Sequence, residues 1–334
     1  MNNQTINSVT GPLSTDQLGR TLMHEHFLFG YCGFQGDATL GGFQEEAYLS
    51  ACLQAIADAK SYGIQTIVDA TTNECGRNVK FLKKLSEMTG MQIICSTGYY
   101  FEAESSFAYW QFRSGFADIE QEIYEMMKAE ITCGIEGTDI KAGVIKLASS
   151  KDQITPMEEH FFKAAARVQK ETGVVIITHT QQGTMGPAQA RLLIENGADP
   201  SKIAIGHMCG SLDLAYHEEV LSYGVYINLD RFGLQGDLFH TPTDEQRMNL
   251  IQTLAEKGYG NKILLGHDSV NVNLGRPIVM TDFMKEALKD ANIRTIGCKV
   301  LPGLKQRGLS DCQIEALLTD NPKEIFSDKV KAGR

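Results

Sequence analysis

Thr21-Leu22-Met23-His24-Glu25-His26-Phe27-Leu28 sets two histidines one residue apart among apolar neighbours. The stretch reads as a short β-strand. Side chains alternate between the faces of a strand, so His24 and His26 point the same way from positions about 7 Å apart. Two imidazoles on one face can chelate zinc or a transition metal. Two histidines ending a half-buried strand would give the same pattern, so the rest of the chain has to decide.

Outward from this strand, short β-rich runs alternate with helical patterns. Strands are expected at 21–28, 65–69, 92–97, 143–147, 174–179, 202–207, 225–229 and 262–268. Helices are expected at 45–62, 78–88, 118–131, 156–171, 187–195, 212–223 and 244–257, and the remainder reads as helical with a turn at Asn321-Pro322. The strands are continuous apolar runs, as expected when helices cover them outside and side chains fill the space inside. Eight such units without a composition break predict an α/β fold, a single (β/α)8 TIM barrel spanning residues 1–334 as one domain. An open doubly wound sheet is disfavoured, because no Gly-x-Gly-x-x-Gly turn follows any strand.

Composition narrows the class. Hydrophobic residues make up 43% of 334, ample for a large core, and the net charge of -10 argues against nucleic acid or an anionic membrane as partner. No apolar run approaches a transmembrane length. The polar, uncharged stretch from Met1 to Gly11 is unlike a secretory signal. Eight scattered cysteines without a Cys-x-x-Cys pair read as buried free thiols in a reducing compartment, so a cytoplasmic location is expected.

Barrel enzymes place their chemistry at the C-terminal ends of the strands. There the sequence offers His24 and His26 on the first strand, Lys146 on the fourth, His179 on the fifth, His207 on the sixth and Asp268 on the eighth. Four histidines, a carboxylate and a lysine at one rim are hard to explain by packing. His160 and His217, in helical stretches, and His240, in a loop, read instead as solvated. His267 should face away from the site and hydrogen-bond behind it. Lys146 is the odd member, since a metal repels an ammonium. Burial lowers a lysine pKa, and a neutral amine can take up CO₂ as a carbamate able to bridge two cations. A lysine paired to an acid, or one binding substrate, fits the spacing equally well.

The set His-x-His, Lys146, His179, His207 and Asp268 resembles the phosphotriesterase family of the amidohydrolase superfamily. The resemblance runs from Gly19-Arg20-Thr21-Leu22-Met23-His24-Glu25-His26 to Asn321-Pro322 and is sharpest in Gly137-Thr138-Asp139-Ile140-Lys141-Ala142-Gly143-Val144-Ile145-Lys146. It implies two divalent metal ions, zinc first among zinc, cobalt, manganese and iron. His24, His26 and Asp268 would hold one metal, and His179 and His207 the other. Lys146, as N6-carboxylysine, and a hydroxide would bridge them. Tyr100, in Thr97-Gly98-Tyr99-Tyr100, and Arg231, in Leu229-Asp230-Arg231-Phe232-Gly233, are most similar to the phosphotriesterase-like lactonases. Asp268-Ser269-Val270 departs from that branch, which leaves the acyl-chain preference open.

The implied activity is lactone opening, on N-acyl-homoserine-lactone-like or other alkyl lactones, with phosphotriesters as promiscuous substrates. Asp268 would relay the proton and Tyr100 would donate to the ring oxygen or developing oxyanion. Loops 232–239 and 270–284 would supply apolar walls for a tail. The alternatives are a phosphotriester, aryl ester or sugar lactone substrate on the same centre, or a non-enzymatic metal-binding scaffold. Eight of the chain's aromatics crowd into residues 99–116, and more into 27–43, which leads to the expectation of a homodimer.

Overall fold

The computed structural model describes residues 5–236 and 239–327. Its strands are β1 (Thr5–Ser8), β2 (Gly11–Ser14), β3 (Arg20–Phe29), β4 (Ile64–Asp69), β5 (Gln92–Gly98), β6 (Val144–Ser149), β7 (Val175–Thr180), β8 (Ile203–Ile205), β9 (Tyr226–Leu229), β10 (Ile263–Leu265) and β11 (Ser269–Asn273). β1 and β2 form an antiparallel hairpin. The others run in the order β10-β9-β8-β7-β6-β5-β4-β3-β11, each neighbour parallel to the next. With helices between successive strands, this is the expected (β/α)8 barrel.

The expected strand at 262–268 is two pieces. β10 pairs with β9 on one side, and β11 pairs with β3 on the other, so the ring closes through the break between them. Asp268 sits in that break with φ of 55°, a left-handed conformation that no β-ladder can run through. Its backbone N–H donates to the His24 carbonyl at 3.1 Å, which holds the seam shut.

Local chemistry explains most helix boundaries. Helix Pro156–Thr172 starts with proline at its first position behind a Thr155/Glu158 capping box and ends at Gly173 in a left-handed conformation. Helix Val79–Thr89 is capped by the Asn78 side chain and ended by Gly90, as expected. The expected turn at Asn321-Pro322 is instead the first turn of helix Asp320–Phe326. Proline is tolerated there because those amides lack intrahelical partners. Asn321 is buried and its side chain donates to the carbonyls of Gly260 and Ile263.

The barrel interior is apolar below and polar above. Ile6 and Leu13 of the hairpin and Phe326 of the last helix pack with Val144, Tyr226 and Leu264 inside the sheet. These segments plug the end of the barrel remote from the candidate site. The hairpin escaped the sequence reading because only single apolar residues punctuate a polar stretch. Its position comes from long-range bonds such as Asn7 Nδ2 to the carbonyls of Ile131 and Ala142. Of the crowded aromatics, Phe107 and Trp110 fold back onto Phe161, while Tyr109, Phe112 and Phe116 stay exposed.

Close approach of strands leaves no slack beside the site. A Cβ built on Gly206 would lie 1.9 Å from the Thr178 carbonyl oxygen and 3.3 Å from Asp230 Oδ2. Gly206→Ala should therefore lower the unfolding free energy by about 1–3 kcal/mol, the usual cost of overpacking. Urea titration checks this, and an unchanged midpoint would show that β8 has room to move.

Candidate metal centre

The six residues expected at the rim come together. β3 delivers His24 and His26, β6 Lys146 and β7 His179, while His207 follows β8 and Asp268 sits in the break of the eighth strand. His24 lies with its ring centroid 5.2 Å from that of His26 and 4.9 Å from that of His207, and His179 lies 4.5 Å from His207. Lys146 Nζ is 3.1 Å from His24 Nε2. Ligand atoms of His24, His207 and Asp268 all fall within 4.8 Å of one another, so these three could hold a metal ion.

The hydrogen bonds behind the rings fix which nitrogen faces the site. Asp230, fully buried at the end of β9, accepts from His24 Nδ1 at 2.7 Å and from His207 Nδ1 at 2.8 Å. It also accepts from the His207 backbone N–H at 2.9 Å. Thr71 Oγ1 gives its proton to the Leu28 carbonyl, so it must accept from His26 Nδ1 at 2.8 Å. In His24, His26 and His207 the lone pair is then on Nε2. For His179 the side-chain Oε1 of Gln181 accepts from Nε2 at 2.7 Å, leaving the lone pair on Nδ1.

The Nε2 lone pairs of His24, His26 and His207 converge on Asp268. Its Oδ1 lies 3.1 Å from His26 Nε2 and 3.4 Å from His24 Nε2, and its Oδ2 lies 3.7 Å from His207 Nε2. Acceptors aimed at acceptors repel unless a cation lies among them. Neutral imidazoles and a carboxylate are ligands suited to zinc, cobalt, manganese or iron. The residues present fit a divalent metal centre on this ground alone.

Electrostatics keeps the donors ready. Burial lowers the pKa of His24, takes that of His207 down to about 3 and holds His179 well below the ordinary imidazole range. Burial would by itself protonate Asp268 and Asp230. The imidazole N–H groups of His207 and His24 outweigh it at Asp230, and Asp268, paired with the Arg231 guanidinium, is likewise held well below the usual range. Burial also lowers Lys146 to about 8, so a minor but far larger share of its amine than for an exposed lysine is neutral near physiological pH.

Arg231 is an ion pair, but inside the pocket and not on the surface: Nε donates to Asp268 Oδ2 at 3.0 Å. Tyr100 packs its ring edge-on to His179 at 4.9 Å and also lines the pocket. Burial raises its phenol well above the ordinary value, so it stays a hydroxyl. The pocket encloses about 670 Å³. Leu234, Phe239, Ile278, Met280, Met284 and Leu288 form an apolar wall above the polar floor. Asp237 and Leu238 of the expected loop lie outside the described residues. Ser269 and Val270 also line it, although Ser269 Oγ is turned away to donate to Glu25.

Among the other histidines, His240 is exposed and His160 is partly so, as expected. His217 is not solvated. It is buried on the inner face of helix Leu214–Ser222, with Nε2 against the Ser211 carbonyl at 3.0 Å. Asp230, Thr71 and Gln181 were missed as ring-orienting residues. The signal for Asp230 was present, since it is a carboxylate at the C-terminal end of a barrel strand. Thr71 and Gln181 had none.

The model of the phosphotriesterase family matches residues 4–326. The chain belongs to the phosphotriesterase family. A phosphotriesterase homology protein of Mycobacterium tuberculosis is 32% identical over 324 residues, covering 96% of this chain and 97% of that one. An aryldialkylphosphatase of Saccharolobus solfataricus is also 32% identical, with coverage of 94% and 97%. The solved organophosphorus hydrolase of Deinococcus radiodurans superposes with a TM-score of 0.95 at 50% identity, covering 98% of each chain. A variant of a PTE-like lactonase from the same organism gives 0.94 at 50% identity, covering 97% of this chain and 100% of that one. The protein is thus a metal-dependent hydrolase, and its family implies a binuclear divalent centre. Asp230→Asn should lower zinc affinity about 10- to 100-fold, because an amide cannot accept from both Nδ1–H groups. Competition with a chromophoric chelator measures this, and wild-type affinity in the variant would mean the rings orient themselves.

Proposed function

We propose that the protein opens lactones carrying an alkyl or acyl tail, N-acyl-homoserine lactones among them, and hydrolyses organophosphate triesters as side substrates. The observation that carries this reading is the pocket, an apolar wall for a tail above a polar floor holding one neutral phenol and one carboxylate–guanidinium pair. Similarity at 50% identity to a structure described as engineered from a weak promiscuous lactonase supports it. His24, His26 and Asp268 would hold one ion, zinc by preference, and His179 and His207 a second, with Lys146 carboxylated between them. Bound divalent ions supply Lewis acidity that polarises a carbonyl or phosphoryl oxygen and makes water acidic enough to attack near neutrality.

The chain's own groups do the rest. Asp268 stays ionised, so it can receive the proton of the attacking water and pass it to the leaving oxygen. Arg231 anchors Oδ2 of Asp268 and leaves Oδ1 toward the histidines. Tyr100 keeps its proton and donates a hydrogen bond to the ring oxygen as the ester bond breaks. A lactone leaves as an alkoxide and gains from that donor, whereas an aryl phosphotriester leaves as a stable phenolate. Exposed Tyr31, Phe43, Tyr109, Phe112 and Phe116 support a two-fold dimer, which light scattering would test.

Tyr100→Phe should cut lactone turnover by roughly 10²-fold and paraoxon turnover far less. Equal losses on both substrates would reduce Tyr100 to a wall of the pocket. A paraoxon kcat/KM above that of every lactone in a tail-length series would make triesters the principal substrate. At the lysine, Lys146→Glu should retain more metal and activity than Lys146→Arg, since an anion is needed between two cations. Equal metal content in the two variants contradicts the carbamate.

A further inference from the structure

Glu25 lies between the two histidines of β3 but points out of the barrel, is wholly buried, and has no place in the chemistry above. Both of its oxygens are engaged twice. Oε1 accepts from the His267 backbone N–H at 2.9 Å and from His267 Nδ1 at 2.7 Å. Oε2 accepts from the Ser269 backbone N–H at 3.1 Å and from Ser269 Oγ at 2.6 Å. A carboxylate has acceptor places for four donors and no proton of its own to give, so this side chain is used to capacity. The other nitrogen of His267 accepts from the Ile296 backbone N–H at 3.0 Å, which ties the clamp to the C-terminal helices.

The residue gripped on both sides is Asp268. It stands between β10 and β11 with φ of 55°, a conformation unfavourable for a non-glycine residue that persists only where its surroundings over-determine it. Its own N–H holds the His24 carbonyl, and its side chain reaches inward to the histidines and Arg231. The residues that flank it, 267 and 269, share one side-chain partner, Glu25. A residue on the outer face of the first strand thus sets the direction of a carboxylate on the inner face of the eighth.

We infer that Glu25 is a positioning residue for Asp268: it clamps His267 and Ser269 so that the intervening backbone holds the Asp268 carboxylate in the metal centre. The inference rests on the metal-dependent hydrolysis of the family and not on the choice of lactone. It also accounts for Ser269, where the sequence departs from the lactonase pattern, since the hydroxyl there serves the clamp and not the substrate.

The test uses zinc as probe and reads binding in the absence of any substrate. Glu25→Gln keeps the shape but sets an amide NH₂ against the donors of Ser269. Its zinc affinity, by competition with a chromophoric chelator, should fall about 10- to 100-fold, with kcat reduced and KM within about twofold. In an Asp268→Asn background the same change should shift zinc affinity by less than about twofold, because the group being positioned has already been altered. Equal fold losses in the two backgrounds would make Glu25 a purely structural residue and overturn the inference, as would unchanged affinity in Glu25→Gln alone. Should that variant not fold, Ser269→Ala removes one donor of the four. A loss of several-fold in zinc affinity, absent in the Asp268→Asn background, supports the clamp, and no loss overturns it.

Discussion

Three hydrogen bonds to one buried carboxylate organise the rim of this barrel. Asp230 receives the Nδ1–H of His24 from the first strand and both the Nδ1–H and backbone N–H of His207 after the sixth. Burial alone would neutralise such a group. The donors around it keep it ionised, and its charge in turn fixes both imidazoles in the tautomer whose lone pairs face inward. Remove that anchor and the rings lose their common direction, although each would still stand on its own strand.

Holding a carboxylate there requires space that only glycine provides. Gly206 passes against the Thr178 carbonyl and Asp230, and a Cβ on Gly266 would lie 2.9 Å from the His24 carbonyl oxygen and 3.1 Å from Asp230 Cβ. His207, next to the first of these close approaches, and Asp268, two residues after the second, both adopt left-handed backbone conformations. Each costs on the order of 1–3 kcal/mol. The hydrogen bonds of Asp230 and the Glu25 clamp offset that cost, and the apolar plug at the other end of the barrel stabilises the frame in which they act.

The polar floor and apolar wall of the pocket come from different parts of the fold. Strand ends, rigid and buried, carry the histidines, Lys146 and Asp268 of the candidate metal centre, where an error of a fraction of an ångström would matter. Loops after the seventh and eighth strands carry Leu234, Ile278, Met280 and Met284, which can vary without disturbing the centre. Family membership therefore speaks to the reaction class, while the shape of the apolar wall belongs to the loops.

Alternation of apolar strands with helices, and the placing of His24, His26, Lys146, His179, His207 and Asp268 at strand ends, were legible from the sequence because both follow from local periodicity. A strand shows its faces through a two-residue repeat, and a barrel shows its chemistry at one end of every strand. Asp230 was legible as a carboxylate at a strand end but not in its partners; the roles of Glu25 and Thr71 were not legible, nor were the break in the eighth strand, the burial of His217 or the helical setting of Asn321-Pro322. Most depend on a partner dozens to hundreds of residues away, such as Glu25 on His267 and Ser269, or Asn7 of the unforeseen hairpin on Ile131 and Ala142. Periodicity states which way a side chain points, but only closure of the barrel states what it meets there. The sequence by itself determined the architecture and the set of candidate donors; the tertiary structure alone decided which nitrogen of His24, His26 and His207 faces inward and how Asp268 is held, because hydrogen bonds between distant segments select both.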